Sequence, residues 1–83
     1  MGCPYKAIGD DTRRKILEIL NKGETNAGAI SEHFDCSWPA ISNHLKILKE
    51  ANLIVERKEG KNRVYSLNKK AIEEVTKFLG SLA

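Results

Sequence analysis

The sequence predicts a mainly α-helical domain carrying one small β-hairpin, an α+β chain in the order helix, helix, helix, hairpin, helix. Three observations carry that expectation. Apolar residues recur at spacings of three and four in separate stretches between Asp10 and Asn52. The pattern turns to that of extended chain between Leu53 and Leu67, around a charged turn at Gly60. Helical spacing then returns from Lys69 to Leu82.

The first helix runs from Asp10 to Asn21: acidic residues and Thr12 suit its start, Ile16, Leu17, Ile19 and Leu20 supply its apolar side, and Gly23 stops it. Asn26 is placed to cap a short second helix reaching Phe34, in which Ala27, Ile30 and Phe34 share one stripe. Ser37 caps the third, whose inward side is Ile41, Leu45 and Leu48 and which ends near Ala51 or Asn52. Between the second and third helices lie only about two or three residues, the connection of a helix-turn-helix. The hairpin directly after it makes a wing. Asn68 punctuates, and Ile72, Val75, Leu79 and Leu82 follow at intervals of three, four and three, a seam of coiled-coil type. Residues Cys3 to Ile8 add a short helical turn bearing Tyr5 and Ile8.

Eighty-three residues leave room for one domain, 1–83, small enough that a second subunit would add usefully to its buried surface. Lysine and arginine outnumber aspartate and glutamate by 14 to 11, a net charge of +3 that permits a nucleic-acid partner without requiring one. Cys3 and Cys36 are too few for a disulfide framework, and no apolar run is long enough for a signal sequence or a membrane span. A cytoplasmic protein with no membrane partner is expected.

Catalysis and metal chemistry have little to stand on. Ser37, His33 and Asp35 form a triad only on paper, with no oxyanion hole or pocket implied by their spacing. No CxxC pair or HExxH helix is present, and His33 and His44 stand eleven positions apart. The expectation is therefore no enzyme, no metal and no cofactor. His44, about 60° from the apolar stripe of its helix, reads as a boundary histidine. Cys36 lies in the turn before the third helix and is expected to pack as a small buried hydrophobe.

On the third helix, with Ile41, Leu45 and Leu48 inward, a step of about 100° per residue turns Pro39, Asn43 and Lys46 outward and leaves Ser42 on the flank. The first turns of the second helix of a helix-turn-helix enter the major groove, so Trp38, Pro39, Ser42 and Asn43 are placed toward base edges, with the cap Ser37 at the same DNA-facing end. Lys46 and Lys49, further along, suit phosphates. Trp38, outside the apolar stripe, is either packed on a neighbouring loop or offered to a ligand. The hairpin sets Arg57, Lys58, Lys61, Asn62 and Arg63 against Glu56 and Glu59, a locally basic tip fitted to a DNA backbone or minor groove. Arg13, Arg14 and Lys15 form a second basic run that serves equally as a solvated face, as structural ion pairs or as DNA contacts.

Several stretches resemble the ArsR/SmtB-type family of winged-helix transcriptional repressors: Ala7 to Leu17, Ile30 to Phe34, Ser37 to Leu48, Ala51 to Ile54 and the wing Arg57 to Leu67. The run from Ser37 to Leu48, with proline two places after the cap and Ser42-Asn43-His44-Leu45, is its most specific part. The resemblance implies a winged helix that dimerises through its first and last helices and binds a palindromic operator on double-stranded DNA. The dimer seam would then use Tyr5, Ile8, Ile72, Val75, Phe78, Leu79 and Leu82. Metal-sensing members carry cysteines in the helix before the recognition helix, or aspartate and histidine along the last helix. Neither pattern is present here, so the metal-free, SdpR-like autorepressor branch is the nearer likeness and the effector stays unknown. Asp11 stands where members commonly have proline. Two other readings compete with a homodimeric repressor: a winged helix that binds a protein partner, and an atypical metal- or redox-responsive repressor.

Overall fold

A computed structural model describes residues 2–83 and builds eight elements: α1 (Pro4–Ala7), α2 (Asp11–Asn21), β1 (Thr25–Asn26), α3 (Ala27–Ser31), α4 (Trp38–Glu50), β2 (Ile54–Glu59), β3 (Asn62–Leu67) and α5 (Lys69–Gly80). Four helices start on a side chain that accepts the N–H three residues on. Asp10 accepts from Arg13, Asn26 from Ala29, Ser37 from Ala40 and Asn68 from Ala71, so each cap satisfies one of the amides that a helix start leaves without a carbonyl.

Helix α4 ends as sharply as it starts. Asn52 takes φ 63°, its N–H bonds the Lys49 carbonyl at 3.0 Å, and the Leu53 N–H bonds that of Leu48 at 3.1 Å. This left-handed stop turns the chain directly into β2. The hairpin closes through Gly60 and Lys61, with Glu59 opposite Asn62; Gly60 at φ 61° supplies the positive φ that a tight turn needs at its first central residue.

The sheet has three strands rather than the two expected, in the order β1-β3-β2, all antiparallel. Thr25 pairs with Tyr65 and Asn26 with Val64, a strand too short to leave any periodic trace in sequence. Two helices are also shorter than their spacing suggests. After Ser31 the amides of His33 and Phe34 bond carbonyls three residues back, a tightened turn that carries Phe34 onto the core although it lies outside the helix. Leu82 likewise bonds back to Leu79 beyond the end of α5.

One core joins these elements. Ile16 and Leu20 of α2, Ile30 of α3, Ile41, Leu45 and Leu48 of α4, Leu53, Ile54, Tyr65 and Val75 are all buried, with Ile8, Leu17, Phe34 and Ile72 packed around them. The inward stripe of α4 is as expected, so the opposite face of that helix is fixed toward solvent. No helix among the described residues is long and apolar enough to cross a membrane.

Candidate nucleic-acid interface

Helix α4 presents Trp38, Pro39, Ser42, Asn43, Lys46 and Lys49 to solvent, whereas Ile41, Leu45 and Leu48 are at most 2% exposed. Ser37 caps the helix through its hydroxyl oxygen, which accepts the Ala40 N–H at 3.3 Å, and its side of the helix start stays open. Trp38 is 53% exposed, which decides between its two readings in favour of a side chain offered outward. Cys36 is also exposed and unpaired, so the buried packing expected of it does not occur: the turn before α4 runs over the surface, and its side chain has no core to enter.

Strand alternation sorts the wing. The cross-strand pairs Glu56–Tyr65 and Lys58–Arg63 share one sheet face, and Arg57–Val64 and Glu59–Asn62 the other. The first face meets α4: Lys49 Nζ lies 3.6 Å from Glu56, Arg63 reaches the same carboxylate at 3.5 Å, and the Tyr65 hydroxyl donates to it at 2.7 Å. That Tyr65 hydrogen bond, with the charges of Lys49 and Arg63 beside it, holds the Glu56 carboxyl below the usual carboxylate range. Burial, followed by the bond to Glu56, pushes the Tyr65 phenol up to about 12. Lys58, Lys61, Asn62 and Arg63 are all exposed around the hairpin tip.

Arg57 occupies the other face and is paired within the chain. Its guanidinium meets Glu24 through two hydrogen bonds of 2.9 and 3.1 Å and Glu59 through two of 2.6 and 3.2 Å. The bonds to Glu24, ahead of β1, and to Glu59, on its own strand, raise its pKa and lower that of Glu24. The basic run on α2 is engaged too: Arg13 bonds the carbonyls of Ala7 and Lys6, Arg14 bonds the Ile8 carbonyl and pairs with Asp11, and Lys15 faces Glu18 at 3.7 Å. Structural pairing is thus present, on a face that is also solvent-exposed.

α1 and α5 meet through Tyr5 and Phe78, whose rings stand edge to face with centroids 5.5 Å apart. Tyr5, Phe78, Leu79 and Leu82 remain exposed, whereas Val75 is buried in the subunit's own core and Ile8 and Ile72 pack partly against it. The seam residues therefore divide between an inward edge and an outward one.

Glu56 as an anchor for two cations and Tyr65 as its partner were not singled out by composition or periodicity. The usable signal was the two-residue turn at Gly60 and Lys61, which pairs residues equidistant from it and sets Tyr65 opposite Glu56. Glu24, the partner of Arg57, carried no such signal because β1 is invisible in the pattern.

The profile of the bacterial regulatory protein arsR family matches residues 10–55, from the cap of α2 into β2. The chain belongs to the arsR family. It is 49% identical over 74 residues to the transcriptional repressor SdpR of Bacillus subtilis (strain 168), an alignment covering 89% of this chain and 82% of that one. To the arsenical resistance operon repressor of Staphylococcus aureus it is 35% identical, over 89% of this chain and 71% of that one. Among solved structures, one described as a possible transcriptional regulator for arsenical resistance superposes with a TM-score of 0.86 at 32% identity, covering 93% of this chain and 80% of that one. The arsR family is one of regulatory proteins rather than enzymes, which agrees with the absence of catalytic spacing in the sequence.

Proposed function

We propose that this arsR-family chain is a DNA-binding transcriptional repressor acting in the cytoplasm, as a homodimer on a palindromic operator, without a metal effector. The observation that carries the reading is the division of α4: an anchored apolar stripe behind, and in front an exposed face of Ser42, Asn43 and Lys46 set beside the basic wing. In this reading residues 1–83 act as one unit.

Ser42 and Asn43 read base edges in the major groove, with Trp38 and Pro39 making apolar contacts at the helix start. Ser37, Lys46, Lys58, Lys61, Asn62 and Arg63 meet phosphates and sugars, which position the helix without reading sequence. Arg57, paired with Glu24 and Glu59, serves as a strut of the wing and not as a phosphate contact. The outward edge of Tyr5, Phe78, Leu79 and Leu82 packs on a second copy. Two recognition helices would then lie about 34 to 36 Å apart, one turn of DNA.

The reading without a metal effector rests on the sequence, in which α3 carries no cysteine and α5 no histidine or aspartate. Among the described residues no three His, Cys, Asp or Glu side chains come together where an ion could be held, although some relatives are named for arsenical resistance.

Selection of bound duplexes from a random pool tests the proposal. A palindromic consensus, bound with an affinity that falls steeply with salt, is the expected result. Failure to enrich any sequence, together with a flat salt titration, would count for a protein-binding winged helix instead.

A further inference from the structure

The junction between recognition helix and wing holds a feature that DNA binding by itself does not call for. A notch of about 190 Å³ opens between α4 and the hairpin, and Ser42, Lys46, Lys49, Glu56, Arg63 and Tyr65 line it. Three of these side chains are cations, suited to a phosphate-bearing ligand. At its base sits a carboxylate, Glu56, only 21% exposed, tied to the Tyr65 hydroxyl at 2.7 Å and facing Lys49 and Arg63 at 3.6 and 3.5 Å.

An exposed acid in such a place would swing aside when a phosphate approached, and its ion pairs would be worth little. Glu56 is not free to do so. It lies on the sheet face turned toward α4, and Tyr65 is its direct cross-strand neighbour and itself buried. The negative charge is therefore fixed where a phosphate entering the notch must come close, and it shares the two cations that a phosphate would use.

We propose that Glu56 is a specificity-determining residue, a fixed negative charge that restrains the basic notch so that DNA is held firmly only when base contacts by α4 set the docked register. The inference rests on the DNA-binding reading above. On non-cognate DNA, attraction to the backbone is the whole of the binding energy, and a like charge inside the contact surface subtracts from it directly. On the operator, base contacts by α4 fix one register, in which phosphates meet Lys46 and Arg63 without closely approaching the carboxylate, so the charge weakens random binding more than operator binding and the ratio of the two affinities rises.

The test uses fluorescence anisotropy of the full chain with two labelled duplexes, one of random sequence and one carrying the selected operator, across a range of salt. Glu56→Gln keeps the shape and an acceptor for the Tyr65 hydroxyl while removing the charge; Glu56→Asp keeps the charge. The Gln variant is expected to bind the random duplex about tenfold more tightly at low salt and to steepen its log–log salt slope by about one to two, as one or two released cations would require. The operator-to-random affinity ratio falls with it. The Asp variant stays near the wild type on both measures.

An unchanged random-duplex affinity and slope in the Gln variant overturns the proposal, and so does an equal tightening on both duplexes that leaves their ratio where it was. So does an Asp variant that behaves as the Gln variant does, since geometry rather than charge would then be responsible. A wild-type chain that binds neither duplex defeats the DNA-binding reading itself, and this inference with it, before any variant is compared.

Discussion

Arg13 and His44 join the N-terminal part of the fold to α4: the Arg13 guanidinium lies 3.2 Å from His44 Nδ1, and its Nε donates to the Ala7 carbonyl at 2.7 Å. Asp10, the α2 cap, stands 3.9 Å from the same ring nitrogen. One side chain on α2 thus ties α1 to α4.

Replacing Arg13 by alanine removes these bonds and leaves the carbonyl of buried Ala7 without its partner. A loss of about 1 to 3 kcal/mol is expected, measured by urea unfolding. Arg13→Lys recovers little of it, because an ammonium cannot serve the carbonyl and the ring from one planar fork. A lysine variant as stable as the wild type would show the charge, and not the fork, to be what holds the three helices.

Acid weakens the fold through carboxylates held below their ordinary range. The Arg13 N–H, then the nearby charges of His44 and Arg13, lower Asp10; the Arg57 guanidinium lowers Glu24; the Tyr65 hydroxyl lowers Glu56. Each group binds its proton less readily folded than unfolded. Its contribution is therefore complete above the unfolded carboxylate value of about 4 and is lost as pH falls through the lower folded value. Unfolding free energy is expected to be level down to about pH 5 and then to decline. Asp10→Asn keeps a capping oxygen but removes one titrating group, so its decline is shallower; an identical acid profile would remove Asp10 from the account.

The four long elements of the fold were legible because each buries one stripe and carries its own punctuation. Asn26, Ser37 and Asn68 are caps by residue type, and Gly60 is a turn by backbone freedom. The outward face of α4 followed from its inward one. What could not be read were pairings between distant segments. Thr25 opposite Tyr65, Glu24 on Arg57 and His44 against Arg13 are set by how elements dock, and no local spacing encodes them. For the same reason Arg57 looked interchangeable with Lys58 and Arg63 in sequence, although strand alternation puts it on the opposite face.

Base reading and phosphate binding separate by their response to salt. Asn43→Ala should weaken operator binding by about 1 to 3 kcal/mol and leave the slope of log affinity against log salt as it was. Lys46→Ala should weaken every duplex alike and reduce that slope by about one. If Asn43→Ala lowers affinity equally for operator and random DNA, the asparagine does not read a base.

Arg57 offers the contrary test within the wing. Its four carboxylate bonds occupy all but one of its N–H donors, so Arg57→Ala should leave the salt slope unchanged while amide exchange quickens in β2 and β3. A slope reduced by about one would mean that the guanidinium exchanges Glu24 and Glu59 for DNA.

The helix α5 tests assembly apart from folding, because its apolar residues are divided between two surroundings. Leu79 is 50% exposed and Leu82 70%, beside the Tyr5–Phe78 pair, while Val75 faces the core. Leu79→Glu should therefore give a folded monomer with the wild-type circular dichroism spectrum, half the sedimenting mass, and much weaker binding to a palindromic duplex, since the second recognition helix no longer shares the same molecule. Val75→Glu, which buries a charge without a partner, should unfold the subunit itself. A Leu79→Glu chain that keeps the wild-type mass would place the contact between subunits elsewhere, and the spacing of the two recognition helices would have to be set by another surface.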